Sequence, residues 1–141
     1  GEAGAPGVQA CCFQMLAAFD TVRLLSPGVK APESDDEFDR LLHLAGPRPV
    51  VVDFFAHWCG PCKVIAPVFE ELAAQHPHAI FVKVNVDDLR GTAQKYKVEA
   101  MPTFKFLERG RAVHSVQGAN EAALRQAVAK LAPQQAPQTA K

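Results

Sequence analysis

Seven consecutive residues, Val50-Val51-Val52-Asp53-Phe54-Phe55-Ala56, lead almost directly into Trp58-Cys59-Gly60-Pro61-Cys62. An apolar run without alternation is what a strand covered on both faces of a parallel sheet requires. After the cysteines, Val64, Ile65, Val68, Phe69 and Leu72 fall at helical spacing and predict a helix over Cys62–Gln75. The two cysteines therefore stand where a strand meets a helix. Two thiols three residues apart at such a junction can close into a small disulfide and reopen, which is the layout of a dithiol redox centre.

The chain has 141 residues, enough for one domain with a real core. Lys+Arg and Asp+Glu are equal at 15 each, so no broad charge recruits nucleic acid or an anionic membrane. No stretch approaches the ~18 apolar residues of a spanning helix. There are four cysteines, Cys11, Cys12, Cys59 and Cys62, too few and too clustered for a secreted disulfide scaffold of this length. A reducing compartment, the cytoplasm, with one catalytic pair is expected. A zinc site is not, because a closed site wants a second spaced ligand pair and Cys11-Cys12 are adjacent.

Residues 1–28 are expected to be an N-terminal extension, flexible or partly helical over Cys11–Leu25. They make a poor secretory signal, since the start lacks positive charge and Asp20 and Arg23 interrupt the apolar stretch. A domain is expected over 29–132. It begins with a weak strand, Val29–Glu33, confined to an edge by Pro32. Ser34 and Glu37 form an S-x-x-E capping box for a helix bearing Phe38, Leu41, Leu42 and Ala45 on one face, which Gly46-Pro47 stops. Pro67 should kink the helix after the cysteines. Ile80–Val86 reads as a second strong strand. Asp87 or Asp88 is expected to cap a short helix through Tyr96. Met101-Pro102 precedes a strand over Thr103–Leu107, and Glu108-Arg109-Gly110 reads as a hairpin turn into Arg111–Gln117. Asn120 caps a last helix to Leu131. Pro133–Lys141, rich in Pro and Gln, reads as a disordered tail. The order β-α-β-α-β-α-β-β-α implies an α/β fold: a central mixed sheet, parallel through its crossovers and antiparallel at the hairpin, with helices on both faces.

The chemistry follows from position. The thiolate is the nucleophile in disulfide exchange. Cys59 precedes a helix, whose free N–H groups and dipole favour negative charge and should lower its pKa. Cys62 lies one turn further in and can attack the mixed disulfide that Cys59 forms. Pro61 suits the first helical turn, Gly60 allows a substrate chain to approach, and Trp58 can flank the site as an apolar wall. Asp53 sits mid-strand among apolar neighbours, so its pKa should be raised. It either takes the proton of Cys62 or is a buried carboxylate bonded to backbone. Lys83, in the next strand, either tunes Asp53 or extends to solvent. Pro102 follows a bulky apolar residue and could form a cis bond. The histidines at 43, 57, 76, 78 and 114 read as surface residues, with His57 placed to modulate Cys59 when protonated.

From Val29 to about Ala132 the chain resembles thioredoxin, of the eukaryotic cytosolic type. The resemblance rests on VVDFFAHWCGPCK, the IAPVFEELA helix, FVKVNVDD, KYKVEAMPTFKF and the late GAN segment. It implies a thioredoxin fold and a protein-disulfide reductase in which Cys59 attacks and Cys62 resolves. Asp53 would be the buried proton acceptor with Lys83 near it. Pro102 would be a cis proline facing the cysteines, with Met101 offering backbone to an extended substrate. Trp58, Gly60, Pro61 and Gly118 would line the substrate surface. No bound cofactor or metal is implied. Electrons would come from NADPH through thioredoxin reductase and pass to protein disulfides, with a monomer expected and no nucleic acid or membrane partner. Departures are Phe55, where many bacterial members carry Trp, and His57, where other polar residues are common. Protein disulfide isomerases resemble WCGHC and tryparedoxins WCPPC, which Pro61 and Gly60 contradict. The alternative is a thioredoxin-like domain of a larger protein, its dithiol serving redox-sensitive docking.

Overall fold

A computed structural model describes residues 28–132. The expected helix over Cys11–Leu25, both N-terminal cysteines and the 133–141 tail lie outside them. The elements are α1 (Asp35–Ala45), β1 (Val50–Phe55), α2 (Gly60–Gln75), β2 (Ile80–Asn85), α3 (Arg90–Lys95), β3 (Thr103–Glu108), β4 (Arg111–Gln117) and α4 (Glu121–Leu131). Among the described residues the sheet has four strands in the order β2-β1-β3-β4. β1 runs parallel to β2, with Asp53 opposite Lys83. β3 is antiparallel to both β1 and β4, so antiparallel pairing starts one strand earlier than the hairpin alone implied. The expected Val29–Glu33 strand shrinks to one bridge, Lys30 with Val82 on the outer side of β2. Pro32 lacks the N–H that a longer ladder would use.

Local signals set most boundaries. Ser34 Oγ accepts from the Glu37 N–H at 3.1 Å, and Glu37 Oε1 accepts from the Glu33 N–H at 2.7 Å, a capping box shifted by one residue on its return arm. Asn120 Oδ1 accepts from the Ala123 N–H and starts α4. Arg109 and Gly110 both take positive φ, 53° and 84°, the left-handed pair of a two-residue hairpin. α2 continues through Pro67 to Gln75 as one helix.

Two expectations are corrected. Neither Asp87 nor Asp88 caps α3: its N-cap is Leu89, which has no capping side chain. Asp35, at the start of α1, accepts from the Gly91 N–H (3.2 Å), the Thr92 N–H (2.9 Å) and the Thr92 hydroxyl (2.6 Å) instead. His76 is not on the surface. It is buried at the end of α2, its Nδ1 2.7 Å from the Ala132 carbonyl, so that nitrogen carries the hydrogen.

Strand alternation divides the core. Val51, Phe81, Phe104 and Phe106 face α2 and α4, while Val50, Val52, Phe54, Val82 and Val84 face α1 and the Leu89–Tyr96 region. Phe69 of α2 lies 5.3 Å from Phe81 and 5.7 Å from Phe104. Each such aromatic pair adds about 1 kcal/mol beyond area burial. These contacts hold α2, and so the cysteines at its start, against the sheet.

Candidate active site

The helix begins two residues earlier than its apolar pattern indicates, at Gly60, and Cys59 becomes its N-cap. Cys59 Sγ accepts from the Cys62 N–H at 3.2 Å, and Pro61 sits in the first turn, where a missing N–H costs nothing. Cys59 and Cys62 form a disulfide, with Cα atoms 5.3 Å apart. Both are buried, and with Ala56 they make a small apolar cluster against Phe55, Val86 and Met101. The loop before β3 is thus brought to the dithiol. The Met101–Pro102 peptide is cis, and the Pro102 carbonyl accepts from the Gly118 N–H at 2.7 Å, which joins the ends of β3 and β4 beside the site. Trp58 is 68% exposed, yet its Nε1–H donates to Asp87 Oδ2 at 3.0 Å. Gly60 has open space where a Cβ would be.

Asp53 is buried on the α2 side of β1, and its Oδ1 has no hydrogen-bond partner. Burial pushes its carboxyl up to about 7, and the charge of Lys83 restrains the rise. The backbone-bonded alternative for Asp53 finds no donor at that oxygen. Lys83 Nζ lies over the Phe55 ring, 5.2 Å from its centroid, rather than in an ion pair with Asp53. A cleft of about 170 Å³ is lined by Asp53, Phe55, His57, Cys62, Lys63, Glu70 and Lys83, among others. A wider groove of about 430 Å³ between β4 and α4 contains none of these residues. Size is therefore no guide to the chemistry here.

The thioredoxin family model matches residues 29–130. The chain belongs to the thioredoxin family. Thioredoxin of Geodia cydonium is 52% identical over 95 residues, covering 67% of this chain and 90% of the relative. Thioredoxin-2 of Saccharomyces cerevisiae is 50% identical over 97 residues, covering 69% and 92%. Among solved structures, Schistosoma mansoni thioredoxin matches with a TM-score of 0.70 at 46% identity, covering 73% of this chain and 94% of its own. Fasciola hepatica thioredoxin gives 0.69 at 42%, covering 72% and 98%. A thioredoxin with this cysteine pair is a thiol-disulfide oxidoreductase.

Within that thioredoxin site, the predicted residues converge. Trp58, Cys59, Gly60, Pro61 and Cys62 come from the β1–α2 junction, and Met101, Pro102 and Gly118 from two loops tied together. Asp53 and Lys83 lie behind on adjacent strands. Sequence reasoning missed Asp87 as a site residue. It lies 29 residues from Trp58, and from the sequence it is expected, with Asp88 as the alternative, to cap a short helix. Among the described residues no group of three or more His, Cys, Asp or Glu could hold a metal ion, and no helix is long and apolar enough to cross a membrane.

Proposed function

We propose that this thioredoxin is a protein-disulfide reductase with asymmetric cysteines. The observation that carries the reading is Cys59 at the N-cap of α2, its sulfur accepting a backbone N–H, beside a buried carboxyl that titrates in the neutral range. Once the disulfide is reduced, the helix start and the Cys62 N–H favour a Cys59 thiolate by on the order of 1 kcal/mol. Cys59 attacks a substrate disulfide and forms a mixed disulfide. Cys62 gives its proton to Asp53, attacks Cys59 and releases the reduced substrate. Lys83 holds the Asp53 carboxyl from rising further. Trp58, Gly60, Pro61, Met101, Pro102 and Gly118 form the surface on which an extended substrate lies. The chain works as a monomer in the cytoplasm, and thioredoxin reductase returns it to the dithiol with electrons from NADPH. Insulin reduction by dithiothreitol tests the reading: the chain accelerates it, and Cys59→Ser falls to the uncatalysed rate. Equal rates for the two proteins would sink it. NADPH consumption with thioredoxin reductase and insulin tests the electron source.

One observation favours a second reading. A 77-residue stretch is 48% identical to a segment that makes up 13% of the Caenorhabditis elegans peptide-N(4)-(N-acetyl-beta-glucosaminyl)asparagine amidase. A similar stretch thus occurs inside a larger protein, and as such a domain this chain would use its dithiol for redox-sensitive docking. Partner capture that is lost in Cys59→Ser and Cys62→Ser, with no insulin reduction by the native chain, would favour that reading.

A further inference from the structure

Asp53 and Phe55 alternate along β1 and so share one face, and His57 lies in the turn just after the strand. The Phe55 ring is met edge-on by the His57 ring, with centroids 5.6 Å apart and planes at 82°, and Lys83 Nζ stands 5.2 Å from the same ring. Asp53 and Cys62 line the same cleft as these groups. Asp53 Oδ1 is buried without a partner, whereas His57 is exposed. A carboxyl that accepts a proton on every cycle must also lose it, and nothing bonded to Oδ1 can take it. We propose that His57 is the proton-relay residue through which Asp53 exchanges its proton with solvent. The inference rests on Asp53 acting as the proton acceptor for Cys62.

The charged and titratable groups facing the cleft are Asp53 from β1, Lys83 from β2, and Lys63 and Glu70 from α2, besides His57. Lysine side chains donate hydrogen bonds and do not accept them, and Glu70 is exposed on α2. Imidazole is the side chain that both accepts and donates protons in the neutral range. As the Cys62 sulfur attacks Cys59, its proton moves to Asp53 and the Cys59–Cys62 bond forms. The Cys59–substrate bond breaks with its electron pair leaving on the substrate sulfur. Neutral Asp53 passes the proton to His57, and His57 passes it to solvent or to the departing thiolate. The reverse flow returns a proton to Cys62 when the disulfide is next reduced.

The test follows release of a fluorescent peptide from its mixed disulfide with Cys59 at pH 7 in dilute phosphate, by stopped flow. At that pH about half of Asp53 begins neutral and must ionise first. The native chain releases peptide in one phase. His57→Gln shows a second phase roughly tenfold slower, a smaller loss than the ~10²–10⁴ of a group acting directly. Added imidazole restores that phase and leaves the native rate unchanged. A single native-like phase in His57→Gln, or a slow phase that imidazole does not restore, overturns the relay. Asp53→Asn run alongside separates the two claims. If it is slow and insensitive to imidazole while His57→Gln behaves as native, only the relay fails. If Asp53→Asn itself reacts at the native rate, the proton-acceptor reading fails.

Discussion

Two aspartates on opposite faces of the sheet have opposite environments. Asp35 is at the exposed start of α1 and accepts three hydrogen bonds from Gly91 and Thr92, which hold its carboxyl below the usual range. Asp53 is buried on the α2 side, leaves Oδ1 unbonded and is pushed up to about 7. The residue type is the same, and the donors and the water decide the role. Asp35 is satisfied as an anion and joins α1 to α3. Asp53 is poorly satisfied as an anion, so it can hold a proton at neutral pH and return it.

The largest effect is expected at Asp53. Asp53→Asn should slow resolution of the mixed disulfide near neutral pH by about 10²-fold, the low end for loss of a positioned base. Stopped-flow release of a labelled peptide measures it. The same variant should be more stable than the native chain at pH 8. Between the ordinary value of 3.8 and about 7 the folded state keeps a proton that the unfolded state has lost. Native stability therefore falls as pH rises through that window, and the full penalty is present above about 7. About three pKa units set a ceiling of ~4 kcal/mol. Denaturant midpoints should show the gain of Asp53→Asn shrinking to near zero by pH 4.

Asp35 runs the other way. Asp35→Ala should lower Tm at neutral pH and leave insulin reduction unchanged. Because the folded carboxyl is held below its ordinary value, its stabilising effect is present above that value and is lost as pH falls through the folded one. The Tm difference should therefore close in acid. The smallest effect is expected for Gly91→Ala. A Cβ there would stand 2.7 Å from Asp35 Oδ2 and push that carboxylate off its donors. Alanine's better helix propensity offsets part of the loss, so Tm should fall by less than in Asp35→Ala.

The same comparison marks what was legible in the sequence. Ser34 and Asn120 announce their helices because a cap acts within three residues, and Arg109-Gly110 announces its hairpin for the same reason. Asp53 was legible because a carboxylate in an apolar strand breaks the pattern around it. The Asp35 cap on α3 joins residues 56 and 57 apart, and the His76 bond to Ala132 spans 56. Trp58 and Asp87 meet through the pairing of β1 with β2. Such contacts leave no periodic trace along the chain. They exist only once the sheet sets two segments side by side.

The most direct test of the account is the rate at which Cys62 resolves the Cys59 mixed disulfide, measured from pH 5 to pH 9 in the native chain and in Asp53→Asn. The native rate should rise through a midpoint near the Asp53 value of about 7 and then level, and the variant should lack this step. Superimposable profiles would contradict it.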